Sequence, residues 1–267
     1  MNRLADAATL DPDTPPPPTT TPSAADSRGM LDHVCIEPVG DRCLLIRVGD
    51  TVDLATNRAV HAITALINAS LDADGPVVEV VPAFTTVAVH YQPSRCPRDG
   101  DLPSVHVTRQ IEALLRQDLP TLTDEGRLIE IPACYGGDYG PDLEEVARQC
   151  GLAEQEVIAL HSGTPLTLYA FFFSPGNPFA GPLDPRLNVK RRASPRTRVE
   201  AGSVAIANGL SSIYQSASPG GWNVIARTPW NLFQVHQQPP TRLRLGDQLR
   251  FKPISPDEFR HLLEPRP

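Results

Sequence analysis

Lysine is nearly absent from this chain. Of its 24 basic residues only Lys190 and Lys252 are lysines, and the other 22 are arginines. Neither lysine follows a glycine-rich loop, so no P-loop is present, because that loop needs a lysine on the outer phosphates of a nucleotide. No apolar run approaches the ~18–20 residues that cross a bilayer. The N-terminus also lacks the charged head and apolar block of a secretion signal. The seven histidines are scattered, with no H-x-x-x-H or H-x-H spacing, which argues against a metal site. No G-x-S-x-G elbow occurs. The five cysteines, Cys35, Cys43, Cys96, Cys134 and Cys150, form no C-x-x-C pair. An odd, dispersed set reads as reduced thiols, and the expected compartment is the cytoplasm. Cys35 and Cys43 lie in apolar runs and read as packing residues. With 31 acids the net charge is −7, which argues against nucleic acid as the main partner.

What is present suits a soluble body with an ample core. A chain of 267 residues buries roughly 70–75% of its unfolded surface and needs no disulfide or metal. Residues 1–31 are rich in Thr, Pro, Asp and Ala and are expected to form a disordered leader, with Met30 as the natural start. Residues 32–120 predict an α+β domain. Two strands fall in 33–48 around a Gly40-Asp41 turn. A helix over 53–70 carries Leu54, Ala59, Ile63, Leu66 and Ile67 on one stripe. Two strands, Val77–Val81 and Thr85–Tyr91, flank Pro82, and Ser104 is placed to cap a helix running to Gln117.

Residues 121–267 predict a β-barrel domain with short helices. A strand covers Arg127–Ile131. Helices are expected over Asp138–Cys150, ended by Gly151, and over Glu154–His161. From Leu166 to Pro253 short strands alternate with turns, the pattern of a closed barrel. Ser255 caps a last helix.

The chemistry-bearing candidates sit on turns. Arg186, Lys190, Arg191, Arg192, Arg196 and Arg198 form a run without an acid, a local positive field suited to a carboxylate or phosphate. A solvated loop is the alternative. Ser218-Pro219-Gly220-Gly221-Trp222 offers bare backbone N–H groups and a flat face, or else a plain hairpin turn. Arg227-Thr228 follows one short strand later. Residues 174–181 form a turn-dense loop that walls a cleft or merely connects strands. His161 ends a helix, where its cation would meet the helix dipole favourably, and is a further catalytic candidate. The pair Glu144-Glu145 reads as solvated.

A resemblance arises at these residues. Ile129–Pro132, Tyr135-Gly136-Gly137, the run Gly140 to Ala147, Leu160-His161, Leu183 to Leu187, Ser194 to Thr197, Ala201 to Val204, Ile213-Tyr214, Ser218–Trp222 and Arg227 to Pro229 resemble the bacterial family of the 5-oxoprolinase B subunit. That family is also described as the first component of allophanate hydrolase and includes the sporulation kinase A inhibitor. The likeness is collinear over residues 32–255. It implies an N-terminal α+β domain followed by a cyclophilin-like β-barrel domain. It also implies two partners, the C and A subunits of 5-oxoprolinase, with which the chain would open 5-oxo-L-proline to L-glutamate at the expense of ATP. Arg196 and Arg227 are then the expected catalytic anion clamps. Ser203, Tyr214, Ser218, Gly220, Gly221, Trp222 and Thr228 are the expected binding groups. ATP is expected at a site shared with the partners, with no metal in this chain. Two readings compete: a module that inhibits a histidine kinase, and an accessory for urea or allophanate amide chemistry. The chain departs from the family at Asn177, where an aromatic is usual, and at Leu210, where a glutamine is usual. Both changes alter expected cleft walls.

Overall fold

A computed structural model describes residues 34–120 and 126–263. The expected leader with Met30, and the start of the expected second domain at 121, lie outside the described residues.

The first unit follows from its alternating strands. β1 (Cys35–Pro38) and β2 (Cys43–Arg47) form a hairpin through Gly40, whose φ of 70° favours a residue without Cβ. α1 (Leu54–Ala69) is capped by Asp53, whose carboxylate accepts from the Thr56 N–H at 2.8 Å. β3 (Val77–Ala83) and β4 (Thr86–Tyr91) complete an antiparallel sheet of order β1-β2-β4-β3. β3 runs through Pro82 instead of stopping before it. It is an edge strand, so the missing N–H costs no ladder bond. α2 (Pro103–Leu115) closes the unit. Ser104 is not its cap: Leu102 holds that position and Pro103 opens the helix, where its fixed φ is already helical. Leu44, Ile46, Ile63, Val87, Val89 and Ile111 form this unit's core. Cys35 is no packing residue; it is exposed on edge strand β1, while Cys43 is half-buried.

The second unit is a closed seven-stranded barrel. Its members are β5 (Leu128–Tyr135), β6 (Leu166–Phe171), β7 (Pro178–Gly181), β9 (Ser203–Ala207), β10 (Leu210–Ile213), β12 (Asn223–Arg227) and β13 (Gln248–Pro253). They close in the order β10-β7-β6-β13-β5-β12-β9, with β13 parallel to β5 and every other pair antiparallel. Closure removes the open edges that a sheet would leave. β8 (Arg196–Val199) and β11 (Ser218–Gly220) form a separate two-stranded ribbon. The barrel is filled by Ile131, Leu168, Val204, Ile206, Ile225, Leu249 and Phe251. The expected α+β unit and barrel are thus the observed architecture.

Three local readings change. The helix expected over Asp138–Cys150 is a 3-10 turn at Gly137–Tyr139 and then α3 (Leu143–Cys150). The break lets the chain pass close to β12, since a Cβ at Gly140 would lie 1.9 Å from the Ile225 carbonyl oxygen. Gly151, at φ 68°, ends α3 as expected, and α4 (Glu154–Gly163) follows. Between Thr228 and Asp247 the expected strands reduce to one bridge, Phe233 with Thr241. Pro229, Pro239 and Pro240 remove ladder donors there. α5 (Pro256–His261) begins at Ser255 in a reciprocal cap with Glu258, as its sequence predicts.

The two units meet at the β3–β4 turn. Phe84 sits there at φ 48°, a conformation that costs a bulky residue energy and is kept only where its surroundings hold it. Its N–H donates to the Tyr169 carbonyl at 3.4 Å, and its own carbonyl accepts from Asn57 Nδ2 at 3.0 Å.

Candidate functional site

Strand alternation on β10 builds the site. Ser211 and Ile213 face the barrel interior, whereas Leu210 and Ser212 face outward. Outside them lies a cavity of about 340 Å³. Aromatic rings wall it. Phe179 meets Trp222 edge-to-face at 5.3 Å, Phe172 at 5.9 Å and Phe84 at 6.0 Å. Such contacts add to the stabilisation from burial and fix the rings in place.

Few polar groups reach this cavity, and each has a definite origin. Asn177 is 2% exposed, and its Oδ1 accepts from the Gln215 N–H at 2.9 Å. The Ser212 hydroxyl is buried without a partner. Tyr214 packs its phenol against Gly220 so closely that a Cβ there would lie 2.3 Å from the oxygen, which is why that position must be glycine. Burial raises the Tyr214 pKa, against the opposing pull of a Trp222 backbone hydrogen bond, Arg191 and Arg196, so the phenol keeps its proton. The Arg191 guanidinium lies over Gly221, with Nη2 3.6 Å from where a Cβ would stand. Among the described residues no carboxylate pairs with Arg191.

The expected site residues divide into two groups. Tyr214, Gly220, Gly221 and Trp222 line the cavity together with Asn177 and Leu210, both expected as cleft walls. Ser218 is on the adjoining ribbon, opposite Val199. Arg227, Ser203 and Thr228 gather elsewhere, at the turn before β9. Arg227 Nε donates to the Ala201 carbonyl at 2.9 Å, and its guanidinium stands 6.0 Å from the Phe259 ring. Ser203 is 4% exposed and exchanges backbone bonds with Glu200 and Tyr214. Thr228 is fully buried, and its Oγ1 accepts from the Trp230 N–H. The two expected clamps therefore do not converge on one rim.

Arg196 is held by Asp142. Its Nη1 and Nη2 donate to that carboxylate at 2.6 and 2.8 Å, Arg192 Nη1 donates at 2.5 Å, and the Val224 N–H at 2.7 Å. Asp142 is 2% exposed. A buried carboxylate with four donors is fully satisfied. It stitches the β8 ribbon and the basic run to α3 and β12. Asp142 escapes detection in the sequence because it falls inside the helix expected over Asp138–Cys150; in the structure it stands just before α3, and its side chain makes no cap bond.

His161 also departs from its expected role. It is fully buried, stacked on Phe251 at 4.4 Å, and hydrogen-bonded to Tyr135 at 2.7 Å and to Ser211 at 2.9 Å. Burial lowers its pKa from 6.5 to about 3, so no cation meets the helix dipole, and the ring is a neutral polar core group. A depressed pKa makes the sign plain. Below pH 6.5 the unfolded chain takes up a proton that the folded barrel refuses, so this stability is complete above pH 6.5 and lost as pH falls toward 3. Melting temperature should fall across that window, and His161→Gln should flatten the slope. An unchanged slope in the variant would remove His161 from the account.

The family model described as "Carboxyltransferase domain, subdomain C and D" matches residues 34–243. The chain is 37% identical to the 5-oxoprolinase B subunit of Bacillus subtilis (strain 168), over 84% of this chain and 94% of the relative. It is 36% identical to the 5-oxoprolinase B subunit of Escherichia coli O157:H7, over 80% and 94%. This chain belongs to the family of 5-oxoprolinase B subunits. Among solved structures, TTHA0988 matches with a TM-score of 0.69 at 30% identity over 85% of this chain. The match spans only 41% of TTHA0988, so this chain corresponds to about two fifths of that protein. The urea amidolyase of K. lactis, at 18% identity and a TM-score of 0.67, shares the fold. Every residue that walls the cavity of this 5-oxoprolinase family member falls within the matched span. Among its described residues no group of three or more His, Cys, Asp or Glu could hold a metal ion, and no helix is long and apolar enough to cross a membrane.

Proposed function

We propose that this chain is the B subunit of an ATP-dependent assembly that opens 5-oxo-L-proline to L-glutamate with partner A and C subunits, and that its aromatic-walled cavity receives the cyclic amide. One observation carries the reading: a guanidinium that meets no carboxylate among the described residues and an unpartnered buried hydroxyl both belong to the wall of one small, largely apolar chamber. 5-Oxoproline brings a carboxylate, a flat ring and an amide. The carboxylate matches the fork of Arg191. The ring matches Trp222 and Phe179, and the amide matches Ser212 and Asn177. Ring opening develops negative charge on the lactam oxygen, and the protonated Tyr214 phenol and the Gly220–Gly221 backbone stand ready to receive it. Arg196 holds this wall through Asp142, and Arg227 supports the barrel end.

The cavity does not fit ATP. One guanidinium and no P-loop lysine are too little for a triphosphate. The nucleotide therefore belongs with the partner subunits. Phe172 and Phe173, 60% and 66% exposed beside the cavity, give those partners an apolar docking face. All five thiols are free, in keeping with a cytoplasmic assembly.

Purified subunits test the reading by omission. Glutamate formation from 5-oxoproline, with matching ATP cleavage, should require this chain. Full turnover without it, or ATP cleavage by the complete assembly with another cyclic amide but not with 5-oxoproline, would overturn the assignment.

A further inference from the structure

We propose a second anion site, for hydrogen phosphate, in the cleft where α1 meets the barrel. This cleft has a volume of about 270 Å³ and is independent of the cyclic-amide reading. Asn57, Arg58 and His61 face it from α1, where positions three and four apart share one side. Arg127 enters it ahead of β5, Thr167 from β6, and Arg244 and Asp247 from the loop before β13.

Charge selects the ligand. Among the described residues Asp247 is the one acid lining the cleft, and it is fully engaged: it accepts from Arg127 Nε and Nη2 at 3.0 and 2.6 Å and from the Arg244 N–H at 2.7 Å. Among the described residues the guanidinium groups of Arg58 and Arg244 meet no carboxylate. In a chain of net charge −7, two guanidinium groups at one cleft that meet no carboxylate among the described residues match a dianion.

Hydrogen bonding narrows the choice. Asn57 is 1% exposed and donates through Nδ2 to the Phe84 carbonyl at 3.0 Å, so its orientation is set and Oδ1 is left as an acceptor with no partner. His61 Nε2 is likewise buried and unpartnered. An acceptor needs a donor, and buried polar groups are rarely left without one. Sulfate has no O–H at neutral pH, whereas hydrogen phosphate keeps one, so the same ion can satisfy the arginines and Asn57 together. Asn57 also holds the turn that carries Phe84 into the cavity on the other side, so one side chain touches both places.

The test is calorimetric titration of the full chain in phosphate-free buffer at pH 7.5, with inorganic phosphate, sulfate and bicarbonate in separate arms. Phosphate should bind at least 10-fold more tightly than sulfate, and more tightly than the singly charged bicarbonate. The double variant Arg58→Ala/Arg244→Ala should lose at least 10-fold in phosphate affinity while melting at the wild-type temperature without ligand. Arg116→Ala, an exposed arginine outside the cleft, should change nothing. Absence of phosphate binding, equal affinity for sulfate, tighter binding of bicarbonate, or unchanged affinity in the double variant would each overturn the assignment.

Discussion

Replacing Asp142 by alanine should destabilise the chain by about 3 kcal/mol, because removing one partner of a buried ion pair strands the others. Its carboxylate is 3% exposed, and the Arg192 and Arg196 side chains that would be left unpaired are 30% and 27% exposed. That residual exposure keeps the cost near the lower end of the range for buried pairs. For a chain of this size the loss corresponds to a fall in melting temperature on the order of 6–12 °C. Arg196→Ala should cost less, since Asp142 then keeps Arg192 and the Val224 N–H. Thermal melts of both variants at pH 7 give the ordering. A milder effect for Asp142→Ala than for Arg196→Ala would show that the carboxylate is not the centre of this cluster.

Replacing Arg191 by alanine should reduce kcat/KM for 5-oxoproline by about 10- to 100-fold in the reconstituted assembly, the value of one charge-assisted hydrogen-bonded contact. Most of the loss should fall on KM, because the guanidinium holds a carboxylate whose charge does not change during ring opening. Arg191→Lys keeps the charge but not the fork, and its loss should be intermediate. Arg196→Ala should instead act chiefly through melting temperature. If Arg196→Ala raised KM while Arg191→Ala left it alone, the division of labour between these arginines would be reversed.

The barrel was legible in the sequence because its signals are local. Short apolar runs bounded by glycine and proline gave the strands, Ser255 gave the last cap, and Gly151 gave the end of α3. The resemblance at residues 32–255 named the architecture that those runs can form. The cavity was half legible. Gly220, Gly221 and Trp222 follow from their turn chemistry, since a glycine pair beside an aromatic marks a place where backbone can approach a ligand, whereas Tyr214 follows only from the family resemblance. Phe84 was not found, because it comes from the other unit and only the folded chain brings it to Phe179. An aromatic at a hairpin turn was the one available signal. Arg196, not Arg191, is the clamp that the resemblance implies, and its place after Ser194-Pro195 suggests a rigid turn. The rigidity is real, but it is supplied by a carboxylate 54 residues away in sequence, and it directs Arg196 into the protein fabric. Linear spacing carries no trace of such a pairing. The helix position of His161 suggested a cation, and only burial shows the ring to be neutral.

The central claim is that 5-oxo-L-proline enters the chamber beside Trp222. The most direct measurement is ¹⁹F NMR with 5-fluorotryptophan in this chain alone, assembled with unlabelled partner subunits. The chain has two tryptophans, Trp222 and Trp230, so the second is an internal reference. Titration with 5-oxo-L-proline should shift the Trp222 resonance saturably, leave Trp230 in place, and lose its effect in Arg191→Ala. A Trp222 signal that stays still while the same assembly turns over 5-oxoproline would contradict the account.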